Sequence, residues 1–389
     1  MFIQNCKIKL ILPLNSPIPI SNQAMTDKCC QKNLRHSWLL VIFYCLVLIL
    51  VVSCSTNIKD RQEPVAGISD NQANSPDAGL QKVRLMPYWV TSAQFAGYYV
   101  GIEKGIFRKH GIDLEVLPFD PFKPTRKDIE DGRADFSLLW LVNAIELREQ
   151  GVDIVNIAQL SSRSSLMLLA KKSSGIRKIT DLNGKKAAIW AGFELQPKAL
   201  FSKYNLDVKI IPIGSTNTLF LVDGVDVISA NWFDEYHSII NNGYDANELV
   251  PFFFADYGLN FLEDGIYCLS GKARSDPGLC HNFVDAALES WMYAFDHPEE
   301  TLDIVIRIAR KENRPVNRSH QQWMLDRYRE LYIPKGQKKI TTELLSRDYK
   351  NVSDIMQNSK LINRIIPYDS FYIPYSSLMK ETVNKKAGR

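Results

Sequence analysis

Beyond residue 82 the chain alternates short segments of period-two hydrophobicity with longer segments of helical period, and that alternation admits few architectures. Residues 83–86 (VRLM) read as a first strand. Residues 93–109 carry a helical pattern, and Gly111 stops it as a C-terminal cap. Residues 112–117 (IDLEVL) alternate as a second strand. A helix over 123–131 ends at Gly132, a strand follows over 134–139, and a helix over 142–150 closes at Gly151. Residues 153–160 and 166–170 read as further strands. A second series begins near Ile179, with strands over 185–190, 208–213 and 225–230 and a helix over 196–204. Alternating strands and helices build parallel or mixed sheets covered by helices, so the class is α/β. Two series in tandem predict two lobes. From residue 282 the pattern turns helical, over 282–295, 299–311, 319–332 and 341–357. No internal repeat is visible.

The N-terminus has a different character. Lys32 and Arg35 precede an unbroken apolar run over 38–52, about fifteen residues, which suits a signal-peptide core better than the ~20 residues of a spanning helix. The run ends in Val51-Val52-Ser53-Cys54, which resembles the bacterial lipobox. That resemblance implies cleavage before Cys54 and a lipid on its thiol, holding the protein to a membrane. An uncleaved anchor helix is the plainer alternative, and both place the body outside the cytoplasm. The leader starts at Met1 or at Met25. Residues 54–81 then form a polar tether rich in Ser, Asn, Asp, Gly and Pro.

Charge has to be read without the leader. Of 47 basic and 43 acidic residues, five basic and one acidic lie before Cys54, which leaves 42 of each sign. A neutral body has no polycationic surface for nucleic acid. Cys268 and Cys280 alone follow the proposed lipid site, without zinc-type spacing. They read as buried free thiols, with pairing as the alternative. Six histidines form no catalytic or metal-binding pattern, and no GxSxG, HExxH or P-loop occurs. No cofactor is called for.

In open α/β sheets ligands sit beyond the carboxyl ends of the strands. Those ends are aromatic here. Tyr88-Trp89 and Gln94-Phe95 follow the first strand, and Trp140 follows the third. Trp190 and Phe193 close the first strand of the second series, and Asn231-Trp232-Phe233 with Glu235-Tyr236 follow VDVISA. Four of the seven tryptophans fall at such ends, a number hard to attribute to core plugs alone. Rings there present stacking faces, worth about 0.5–1.5 kcal/mol per pair beyond area burial. Gln94, Asn231, Glu235 and Asp256 offer hydrogen bonds, although the two acids also fit solvated loops.

Four stretches together resemble the substrate-binding proteins for thiamine pyrimidine precursors, kin of the sulfonate-, taurine- and nitrate-binding proteins. They are AQFAGYYVGIEKGIFRKHGIDLEVL (93–117), GRADFSLL (132–139), GIRKITDLNGKKAAIWAGFELQPKALF (175–201), and DYGLNFLEDGIYCLSGKA (256–273) with SWMYAFDHPEETLDIV (290–305). The resemblance implies a type II periplasmic-binding-protein fold, two α/β lobes that close on ligand by hinge motion. The expected layout is a signal peptide over 1–53, the tether over 54–81, lobe 1 over 82–170, lobe 2 over 171–260, and the rest of lobe 1 with C-terminal helices over 261–389. Crossings between lobes are expected near Ala170 and within 257–265. Ligand contacts are expected at Trp89, Gln94, Phe95, Trp140, Trp190, Trp232, Glu235 and Tyr257. Only Gln94 and Tyr257 lie inside matched motifs, and the tryptophans are inferred from strand ends. The implied partners are a small heteroaromatic ligand and the permease and ATPase subunits of an ABC importer, with the protein expected as a monomer.

Three rival readings remain. Pyrimidine-synthase relatives carry a cysteine cluster shortly after the segment matching DYG, and here only Cys268 stands there, which argues against catalysis. A sensory module would use the same clamp to signal to a membrane partner. A binding protein for a sulfonate, riboflavin or another heterocycle is the third, and the SSRSS run (161–165) would supply sulfonate donors.

Overall fold

The computed structural model describes residues 79–120 and 125–378. The apolar run, Cys54 and the tether lie outside the described residues. Among the described residues no helix is long and apolar enough to cross a membrane.

In chain order the elements begin with β1 (Gln81–Met86), α1 (Ala96–Glu103), α2 (Ile106–Lys109), β2 (Ile112–Val116), α3 (Thr125–Glu130), β3 (Phe136–Leu139), α4 (Leu141–Glu149) and β4 (Ile154–Gln159). The second series is β5 (Leu166–Lys171), β6 (Lys186–Trp190), α5 (Leu195–Lys203), β7 (Lys209–Ile213), α6 (Thr218–Leu221), β8 (Val227–Asn231), α7 (Glu235–Asn241) and β9 (Leu249–Phe253). Then come β10 (Gly265–Leu269), α8 (Ser270–Ser275), α9 (Pro277–Asp296), α10 (Pro298–Lys311), α11 (Arg318–Tyr332), α12 (Ser346–Asn358) and α13 (Tyr368–Phe371).

Two sheets of five strands result, in the orders β2-β1-β3-β10-β4 and β7-β6-β8-β5-β9. In the first, β10 runs antiparallel between β3 and β4. In the second, β5 runs antiparallel between β8 and β9. The carboxyl ends of β1, β3 and β4 therefore share an edge with the start of β10. The carboxyl ends of β6, β8 and β9 likewise share an edge with the start of β5. The chain passes between the sheets at 160–165 and at 254–264, and both passages leave from these edges. The two edges therefore border the interlobe cleft. β5 belongs wholly to the second sheet, so the first passage precedes Leu166 and does not follow Ala170.

Burial is complete along two strands, one at the edge of the first sheet and one inside the second. Every residue of β4 and β5 is buried, as expected for strands covered on both faces. The helix expected over 93–109 is three pieces. A 3-10 turn (Ala93–Phe95) leads into α1, and Gly105, left-handed at φ 69°, separates α1 from α2. α1 lies tight on α9, because a Cβ on Gly97 would stand 2.5 Å from the Trp291 ring. Cys268 and Cys280 are buried and unpaired. The C-terminal helices serve both lobes. Tyr372 bridges to Asn156 of β4, while α11 packs on α7 of the second lobe.

Candidate functional site at the interlobe cleft

The cleft is built from strand ends. Tyr88 follows β1 and is the centre of the lobe 1 side. Its ring meets Phe95 edge-on at 5.5 Å and Trp140 at 6.4 Å. Its hydroxyl donates to Asp264 Oδ1 at 2.5 Å and accepts from Gln94 Nε2 at 2.6 Å. Gln94 and Phe95 sit in the 3-10 turn capped by Ser92, and both are buried. Both side chains thus reach Tyr88. Trp89 turns outward to the rim, 42% exposed, with its ring 5.5 Å from Phe119.

From Tyr88 a line of rings crosses to the second lobe. Trp140 precedes α4, and its ring stands edge-on to Phe193 at 5.2 Å. Phe193 meets Trp190, at the end of β6, at 5.9 Å. Phe193 is 39% exposed, unusual for a phenylalanine held between two tryptophans. Edge-on contacts of this kind leave ring faces free for a planar guest.

Below the rings lies an acidic floor. Glu235 opens α7, and its Oε2 accepts the Asn231 backbone N–H at 2.9 Å. The Ser165 hydroxyl donates to Asn231 Oδ1 at 2.9 Å. Glu263 accepts the Ser164 hydroxyl at 2.9 Å and the Ser165 N–H at 3.1 Å. Its backbone carbonyl accepts from Gln159 Nε2 and the Ser161 hydroxyl. Glu263 thereby ties together the two passages between the sheets. Asp264 follows in the left-handed region at φ 58°, 1% exposed. Burial, with the neighbouring Asp264 charge, pushes Glu263 up to about 8. Burial and the Asp234 charge push Glu235 up to about 8. Burial pushes Asp264 up to about 7, tempered by tyrosine hydroxyls led by Tyr88.

Two expected contacts point elsewhere. The Trp232 ring packs against Tyr236 at 4.5 Å and Trp323 of α11 at 5.2 Å, with the Arg327 guanidinium 5.3 Å above it. Tyr257 meets Tyr204 at 5.8 Å on the second lobe, and its carbonyl accepts Lys203 Nζ at 2.6 Å. Gln94, Phe95, Trp140 and Trp190 converge around Tyr88 and Phe193. Trp89 borders the rim, and Glu235 joins the floor through Asn231. Glu263 and Asp264 escaped sequence reasoning, although two adjacent acids inside the apolar run NFLEDGIYCL were a signal.

A family model described as NMT1/THI5 like matches residues 92–301. The chain is 25% identical over 277 residues to the riboflavin-binding protein RibY of Chloroflexus aurantiacus, covering 67% of this chain and 76% of that one. It is 22% identical over 291 residues to the formylaminopyrimidine-binding protein of Halalkalibacterium halodurans, covering 71% and 81%. Among solved structures, a periplasmic sulfonate-binding protein SsuA from Methylobacillus flagellatus KT superposes with a TM-score of 0.60 at 18% identity, covering 78% of this chain and 95% of that one. That likeness shows the two-lobed periplasmic-binding-protein fold, which the sheet orders and the paired passages already describe. The matched span takes in every strand but β1, both passages and the rings of Trp140, Phe193 and Trp190, and on that match the chain belongs to the NMT1/THI5-like family.

Proposed function

We propose that this protein is the extracytoplasmic solute-binding component of an ABC importer and that its ligand is a flat heteroaromatic of the thiamine pyrimidine-precursor type. The observation that carries the reading is the ring line Tyr88–Trp140–Phe193–Trp190, which spans the cleft from one lobe to the other. A planar ring entering between Trp140 and Trp190 stacks on both lobes at once, so ligand binding favours the closed clamp. The carboxylates beneath accept N–H donors from an aminopyrimidine edge. The relative named as a formylaminopyrimidine-binding protein supports this ligand class, and the relative named for riboflavin supports a wider ring in the same cleft. The protein binds and releases its ligand without chemistry, and it hands it to a permease driven by an ATPase. Cys54 carries the lipid that holds the clamp at the membrane, and the clamp works as a monomer.

The test is titration of the soluble body, from about residue 55, with formylated aminopyrimidine, hydroxymethylpyrimidine and riboflavin. Tryptophan fluorescence and melting temperature are the readouts. Saturable binding of either pyrimidine supports the reading. Binding of riboflavin alone moves the ligand to the wider ring. No response from folded protein to any of the three overturns the heteroaromatic clamp.

A further inference from the structure

Asp264 is the most unusual group in the cleft. It immediately precedes β10, which lies between β3 and β4 in the first sheet, so it stands on the sheet edge that borders the cleft. Oδ1 is engaged by Tyr88, whereas Oδ2 is buried without a hydrogen-bond partner. The hydroxyls of Tyr328 and Tyr332 on α11 face the same carboxylate, and neither closes a bond onto Oδ2. Glu263 is its sequence neighbour and is equally buried. Glu235 joins the same network through Asn231 and Ser165. Among the described residues none of these three carboxylates has a salt-bridge partner, although less deeply buried acids such as Asp135 and Glu289 are paired. A buried carboxylate oxygen with no donor is costly. A positive group seated against it relieves that cost, and aromatic faces such as those of Tyr88 and Trp140 attract the same charge.

We propose that Asp264 Oδ2 is the recognition point of the cleft and that the ligand is held there as a cation, a flat protonated aminoheterocycle whose charged edge meets this oxygen. The inference rests on the stacking clamp proposed above and adds the charge of its guest. An uncharged flavin ring lacks that edge and gains only the stacking.

The test compares a pair of probes on the folded body near neutral pH. One is a 4-aminopyrimidine methylated on a ring nitrogen, which carries a fixed positive charge shared with its exocyclic amine. The other is its uncharged parent, measured above its own protonation range. The charged probe is expected to bind at least about tenfold tighter, a difference of ~1.4 kcal/mol. Asp264→Asn is expected to abolish that preference, so that the two probes bind the variant alike. Asparagine tolerates the left-handed backbone, and melting temperature verifies the fold. The preference in the unaltered protein needs no variant, so it decides the matter even if the substitution unfolds the chain. Equal binding of the two probes, or a preference that survives in Asp264→Asn, overturns the cation and leaves the clamp standing. Failure of both probes overturns the cation, and the clamp falls with it only if riboflavin also fails to bind.

Discussion

His237 of α7 and His320 of α11 lie ring on ring, with centroids 5.1 Å apart and their Nδ1 atoms at 2.9 Å. His320 Nε2 in turn lies 2.9 Å from Asp234 Oδ1, so the contact joins the C-terminal helix to the second lobe. Two imidazole nitrogens at that distance share one proton and cannot both carry one. Burial lowers the affinity of His237 for a proton, and the charges of His320 and Arg327 lower it further, against the pull of Asp234. Asn241 Nδ2, 3.2 Å from His237 Nδ1, and the Trp323 ring complete its surroundings. A base whose folded pKa is depressed stays neutral while the unfolded chain takes the proton. The resulting loss of stability begins as pH falls through the ordinary histidine value of about 6.5. The melting temperature of the unaltered protein is therefore expected to drop relative to His237→Gln between about pH 7 and about pH 5.5. A constant difference between the two proteins over that range would remove the linkage.

Trp140 and Trp232 are expected to fail in different ways when truncated. Trp140 presents its ring to Phe193 in the cleft, so Trp140→Ala is expected to weaken heteroaromatic binding by about tenfold, the scale of one lost stacking pair. Trp232 is enclosed by Tyr236, Phe253, Trp323 and Arg327 and donates Nε1–H to Glu330 at 3.2 Å. Trp232→Ala is expected to cost about 2 kcal/mol of stability, less than a fully buried ring because Trp232 is only partly buried. Urea unfolding alongside fluorescence titration separates the two. Equal loss of affinity without loss of stability in Trp232→Ala would place that ring in the binding surface.

Much of the strand order was legible because period-two alternation and glycine stops are local signals. IDLEVL and VDVISA each overlap a strand, and Gly105 divides the two α-helical pieces of the expected first helix. The α/β class and the two lobes follow from that alternation. The assignment of β5 was not legible, since a strand of six buried residues looks alike in either sheet and only its neighbours β8 and β9 decide. The ring positions at strand ends placed Trp140 and Trp190 together, because the end of a strand fixes which edge of the sheet a residue occupies. They could not place Trp232, whose ring is turned by packing against α11, about ninety positions away in sequence. Tyr257 was misleading for the opposite reason, since its motif marks the second passage while its ring packs on Tyr204. Glu263 and Asp264 acquire meaning only once both passages lie side by side.

The contact between α1 and α9 gives a stability test independent of the site. An added methyl on Gly97 would lie 2.5 Å from the ring of Trp291, which is fully buried and has no room to withdraw. Gly97→Ala is expected to destabilise by about 1–3 kcal/mol through overpacking. Gly271 in α8 has nothing within 4 Å of the corresponding point, so Gly271→Ala is expected to be neutral or to stabilise by a few tenths of a kcal/mol. Chemical denaturation of the two variants reads the contrast, and a Gly97→Ala protein as stable as its parent would show that the helices separate easily.

Glu263 provides the sharpest test of the paired passages, because its protonation and its bonds predict opposite fates for two substitutions. Burial holds its carboxyl up to about 8, so the neutral form prevails in the folded protein at pH 7. An acid whose folded pKa is raised contributes stability that is fully present below the ordinary carboxyl value of about 4.3, and that stability is lost as pH rises toward the folded value. Glutamine copies the neutral form, so Glu263→Gln is expected to hold its melting temperature near neutral pH and to flatten the decline between about pH 5 and about pH 8. Alanine instead leaves the Ser164 hydroxyl and the Ser165 N–H without their acceptor in a buried place. Glu263→Ala is expected to cost about 1–3 kcal/mol at any pH. Thermal melts across that range check both expectations. If Glu263→Gln destabilises as much as Glu263→Ala at pH 7, the group is ionised in the folded protein and the passages are tied by a charge.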